Sequence, residues 1–99
     1  MNAHEQQLCE LLVAAAARFA ARTGPIWSNY ESGSVIASFV LECRDRIANG
    51  ALAQDQKRKL WTIFAPTCDW DDVVGDVELG NAVFGLLDQL YRAEVFGTL

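Results

Sequence analysis

VELGNAVFGLLDQLYRAE, residues 77–94, places Leu79, Val83, Leu86, Leu87 and Leu90 three or four positions apart, with Phe84 and Tyr91 widening the stripe. That spacing is the period of an α-helix with one apolar face, and no strand alternation competes with it. Asp76 stands where an N-cap belongs, and Glu78 falls in the first turn, where a negative charge meets the positive end of the helix dipole. Gly80 and Gly85 are poor helix formers. Each is read as a point of close helix contact or of local distortion.

The same period recurs nearer the N-terminus. Leu8, Leu11, Leu12, Ala15 and Phe19 form a stripe over residues 3–22, and the alanine run at 14–17 adds helix propensity and lets a neighbour approach. Gly24 and Pro25 stop that helix, Gly24 as a C-terminal cap. A loop through Trp27, Asn29 and Tyr30 follows. Ser32 or Ser34 then caps a second helix carrying Ile36, Phe39, Val40, Cys43 and Ile47, which Asn49 and Gly50 end. The apolar run at 35–41 also fits a buried strand, but its helical spacing continues through Ile47. Asp55 introduces a short third helix that runs past the basic turn Lys57, Arg58 and Lys59 and stops before Pro66. These segments predict an all-α fold: a small antiparallel bundle of four main helices in a single domain, residues 1–99, with one acidic loop. The expected core is Leu11, Phe19, Phe39, Val40, Leu60, Phe64, Val83, Leu86 and Leu90. A core Phe39 would make Phe39→Ala cost about 3–5 kcal/mol.

The acidic loop is where the charge sits. Thirteen acids against eight bases give a net charge of -5, and Asp69, Asp71, Asp72, Asp76 and Glu78 supply five of those acids without an intervening Lys or Arg. The rest of the chain balances, so the acidic field is local. Such a chain is not built for phosphate backbones, and the basic triplet at 57–59 reads as a solvated helix face. Like charges held together beside an apolar core repel one another, and recognition of a basic surface is a reason to retain them. Trp70 in their midst has two readings: an aromatic anchor for a partner, or a plug that pins the loop to the core, the commoner fate of an apolar residue in an acidic loop.

Within residues 61–91, Ile63 to Thr67 (IFAPT), Asp69 to Asp72 (DWDD) and Glu78 to Asn81 (ELGN) carry a resemblance to small acidic bacterial immunity proteins of toxin systems. The likeness covers about a third of the chain and includes no catalytic signature. It implies a non-enzymatic protein that neutralises a toxin, with Asp69, Trp70, Asp71, Asp72, Asp76 and Glu78 as the partner-binding set and a basic protein surface as the partner.

Other chemistries find less material. An EF-hand loop begun at Asp69 would have Asp71 at position three, but Val73 at position five, Val74 where glycine is required and Gly80 where the final glutamate belongs. A divalent-metal-binding regulator or metal-dependent hydrolase built on the same acids is the alternative reading, magnesium on two carboxylates being its most reasonable form. His4 is the only histidine, and its five-residue spacing from Cys9 does not place the pair cleanly on one helix face, so no catalytic residue and no cofactor is assigned. Cys9, Cys43 and Cys68 form an odd set without a CxxC pair, which fits reduced thiols in a cytoplasmic setting, with Cys9 and Cys43 in the core. Arg18 and Arg22 interrupt the N-terminal apolar stretch, so neither a signal peptide nor a membrane span is expected. A purely structural subunit that self-associates through an apolar helix face is a third class.

Overall fold

The computed structural model describes residues 2–26 and 28–96, so Trp27 in the expected first loop lies outside the described residues. Five helices and no strand occur among them: α1 (Ala3–Ala21), α2 (Gly33–Ala48), α3 (Gln54–Phe64), α4 (Asp69–Val73) and α5 (Val77–Phe96). The four long helices are those the periodicity predicts. No described helix is long and apolar enough to cross a membrane.

Their ends follow local hydrogen-bonding chemistry. Asn2 accepts the Glu5 N–H at 2.8 Å while the Glu5 carboxylate accepts the Asn2 N–H at 3.2 Å, a reciprocal cap that the sequence reading did not single out. Ser32, one of the two serines proposed, caps α2 through the Val35 N–H. Asn49 closes that helix, and Gly50 at φ +66° turns the chain away. Asp55 is in the first turn of α3, but the N-cap is Ala53, whose N–H donates to the Gln56 side chain at 3.1 Å. The cap of α1 is Arg22 in extended conformation, whereas Gly24, expected as the cap, takes its φ of +84° two residues later.

The core is built from matching faces of all five helices. Leu8, Leu12, Ala15, Ala16 and Phe19 of α1 join Ile36, Val40, Cys43 and Ile47 of α2, Leu60, Ile63 and Phe64 of α3, Trp70 and Val73 of α4, and Val83, Leu87 and Tyr91 of α5. α1 packs most extensively on α2, and α5 packs on both α1 and α3. Ala15 and Ala16 are the members of the alanine run that turn inward and are buried. At the far end of the α1–α2 contact Gly33 is buried, and a Cβ on it would lie 2.1 Å from the Phe19 carbonyl oxygen and 3.0 Å from that of Arg22.

Three expected core residues need correction. Leu11, Phe39 and Leu90 are half-buried, packed on the core's margin because each lies at the edge of its helix's apolar stripe. Phe39 covers Tyr30, ring centroids 6.4 Å apart, and keeps one side at the surface. Truncating a half-buried ring loses only part of the transfer and cavity terms, so Phe39→Ala should cost about 1–2 kcal/mol in a denaturant melt. A loss above about 3 kcal/mol would restore the ring to the core.

Candidate functional site

The acidic segment is not one open loop. Asp69–Val73 forms the single-turn helix α4, with Trp70 and Val73 three residues apart and both buried. Gly75 at φ +79° ends the turn and sends its N–H back to the Trp70 carbonyl at 2.8 Å. Three carboxylates in the first turn sit at the favourable end of the peptide dipoles. Too short to show a period, the turn exists because its apolar side is anchored in the core.

That anchor is Trp70. It is 1% exposed and packs edge-on to Phe19 at 5.2 Å and tilted against Phe64 at 5.3 Å. Its indole N–H donates to the Asp76 carbonyl at 2.7 Å, which satisfies its one polar group. Gly80 supplies the space: a Cβ there would lie 2.4 Å from both Cδ1 and Nε1 of the indole. Of the two glycines expected to mark close contact, Gly80 does so, whereas a Cβ on Gly85 would meet nothing within 4 Å. Trp70 is therefore the plug, and its place among surface partner-binding residues is corrected: a side chain that fills the Phe19–Phe64 contact presents no face to a partner.

The five acids differ in what they already hold. Asp69 accepts the Ser28 hydroxyl, tying α4 to the chain between α1 and α2, and Ser28 Oγ in turn accepts the Tyr30 N–H at 3.1 Å. Asp71 accepts the Thr67 N–H at 2.7 Å, holding a threonine at φ +61°, a backbone region that β-branched residues avoid. Asp76 caps α5 through the Leu79 N–H at 3.2 Å and pairs with Arg18 of α1 at 3.2 Å. Asp72 and Glu78 are exposed, and their carboxylates have no hydrogen-bond or ion-pair partner among the described residues. Structural work thus accounts for Asp69, Asp71 and Asp76. Asp72 and Glu78 meet only the helix dipoles of α4 and α5, and among the described residues no side chain or cap engages their carboxylates.

Beside α4 runs an open groove of about 540 Å³, lined by Ile26, Ser28, Asn29, Thr62, Cys68, Asp69 and Asp72. Only the two aspartates belong to the expected site. Ser28 and Asn29 are the members sequence reasoning missed, and their signal was faint: two small polar residues in the connection that also brings Ser28 to Asp69. Burial, followed by Asp69 and the other carboxylates of α4, pushes the Cys68 thiol above its ordinary value, which keeps it protonated at neutral pH. Burial likewise pushes Cys43 up to about 12. Cys9 is buried and donates to the Arg44 carbonyl at 3.7 Å, whereas His4 is exposed on the first turn of α1. Among the described residues no three His, Cys, Asp or Glu side chains gather as a metal-binding group.

No protein-family model, curated protein sequence or solved structure matches this chain.

Proposed function

We propose that this protein is a non-enzymatic binding module that receives a partner's basic surface on the carboxylates of α4 and the start of α5. With the likeness of residues 61–91 to immunity proteins, the reading becomes an inhibitor that neutralises a bacterial toxin in the cytoplasm. Its scaffold is an antiparallel bundle of the four long helices, with α4 as a side arm.

The observation that supports this reading is the anchoring of α4. Asp69, Asp71 and Asp72 lie on a turn whose Trp70 is locked in the core, so their backbone positions are set before any partner arrives. Preorganised charges lose little freedom on binding and steer an oppositely charged surface from a distance. The metal-dependent alternative requires ligands converging on one point, and no observation favours it over protein recognition.

Capture from the native source tests the reading. Wild-type bait should retain a protein with a basic binding surface, and the paired substitution Asp72→Asn, Glu78→Gln should retain much less, because both carboxylates are exposed and without partners among the described residues. Each acid that meets a desolvated Arg is expected to contribute about 2–5 kcal/mol, and one at the rim far less. Co-expression should suppress the toxicity of the captured protein. Equal capture by the paired variant would remove the acidic face from the account.

A further inference from the structure

A second groove, of about 450 Å³, adjoins the first and carries the opposite charge along one wall. Tyr30 and Phe39 give it an aromatic floor, Arg58 and Lys59 of α3 form one rim, and Asn29, Thr62 and Asp69 are shared with the neighbouring groove. Both rings are half-buried. Arg58 and Lys59 are exposed, and among the described residues they and Arg22 are the cations with no carboxylate within ion-pair distance, whereas Arg18, Arg44, Arg46, Lys57 and Arg92 each have one. In a chain with thirteen acids to eight bases, two adjacent cations left unmatched beside an apolar hollow stand out. The chemistry of the hollow is therefore amphipathic and directional: apolar below, cationic on the α3 side, anionic at Asp69.

We propose that this groove docks a segment of a protein partner in which an aromatic or aliphatic side chain is followed by carboxylates. The apolar side chain covers Tyr30 and Phe39, and the carboxylates lie against Arg58 and Lys59. Asp69 repels the acidic end and so sets the direction of the segment. Apolar anchoring supplies contact area while the charges select orientation and partner. Two isolated cations on an acidic chain are a poor footprint for a nucleic acid, which would need a broad basic surface. This inference shares Asp69 with the acidic-face reading but rests on Arg58, Lys59, Tyr30 and Phe39, and its variant leaves every acid of α4 and α5 in place, so each reading can fail without the other.

The test is an NMR titration of the full ¹⁵N-labelled chain with three capped hexapeptides that share a Leu-Phe pair followed by two Glu, two Gln or two Lys. The Glu peptide should shift the amide signals of Tyr30, Phe39 and Thr62 saturably and bind about five-fold tighter than the Gln peptide, the size expected from rim ion pairs. In Arg58→Glu, Lys59→Glu the preference should reverse toward the Lys peptide, with an unchanged thermal melt showing that the fold is intact. Equal binding of the three peptides, a wild-type preference for Lys, absence of saturable shifts at those amides, or no reversal in the double variant would each overturn the proposal.

Discussion

Trp70→Ala should lower the unfolding free energy by about 3–5 kcal/mol, the range for removing a large buried aromatic side chain. The substitution opens the space between Phe19 and Phe64, frees the Asp76 carbonyl and releases the buried side of α4. Gly80→Ala attacks the same contact from the other side. Its new methyl would meet the indole at 2.4 Å, and overpacking of this kind costs about 1–3 kcal/mol. The two effects are coupled: in a Trp70→Ala background the Gly80 methyl has room, so Gly80→Ala should turn from damaging to neutral or stabilising by up to about 1 kcal/mol. A double-mutant cycle from chemical denaturation checks this, and strict additivity would mean that Gly80 does not serve to admit Trp70.

Gly33→Ala should be comparably damaging, against the ordinary expectation that alanine improves a helix by about 1 kcal/mol. A Cβ at 2.1 Å from the Phe19 carbonyl oxygen faces backbone, which cannot swing aside as a side chain can. The N-terminus of α2 has to retreat from the end of α1, loosening the most extensive helix pair in the molecule. The expected loss is about 3 kcal/mol, the upper part of the overpacking range, and a fall in Tm of more than about 10 °C. An unchanged or raised Tm would show that the α1–α2 contact is looser than described.

α1, α2 and α5 are legible because each offers three or more turns of 3.6-residue spacing and recognisable end signals, such as Ser32, Asn49 followed by Gly50, and Asp76, whereas α3 is legible from Asp55 at its start and Pro66 beyond its end. Stripe edges are less so. Leu11, Phe39 and Leu90 have the right residue type and spacing, but whether an edge position is buried depends on the crossing of neighbouring helices, which periodicity does not encode. α4 was hidden for another reason: one turn has no period. In retrospect its marks are Trp70 and Val73 three apart and Gly75 just beyond, a pattern that also fits an ordinary loop.

The acidic site shows the same division. Clustering of charge from Asp69 to Glu78 is plain in the sequence, and so is the cap at Asp76. The assignments of Asp69 to Ser28 and Asp76 to Arg18 are tertiary, each joining residues more than forty positions apart. They separate acids whose carboxylates brace the structure, Asp69 and Asp76, from those that no described side chain engages. Surface pairs such as Arg18 with Asp76 contribute about 0–1 kcal/mol, so that bracing orients α4 and α5 more than it stabilises the whole.

The most direct measurement is the association rate of the captured partner with wild-type protein and with Asp72→Asn, Glu78→Gln across salt from about 0.01 M to about 1 M, over which the Debye length contracts from about 30 Å to about 3 Å. If the acidic face steers the partner, the wild-type rate falls at least about ten-fold over that range. The variant starts slower at low salt, shows a shallower slope, and converges on wild type at high salt. Identical rates and identical salt slopes for the two proteins, with both folded, would contradict the claim that the free carboxylates of α4 and α5 recognise a partner.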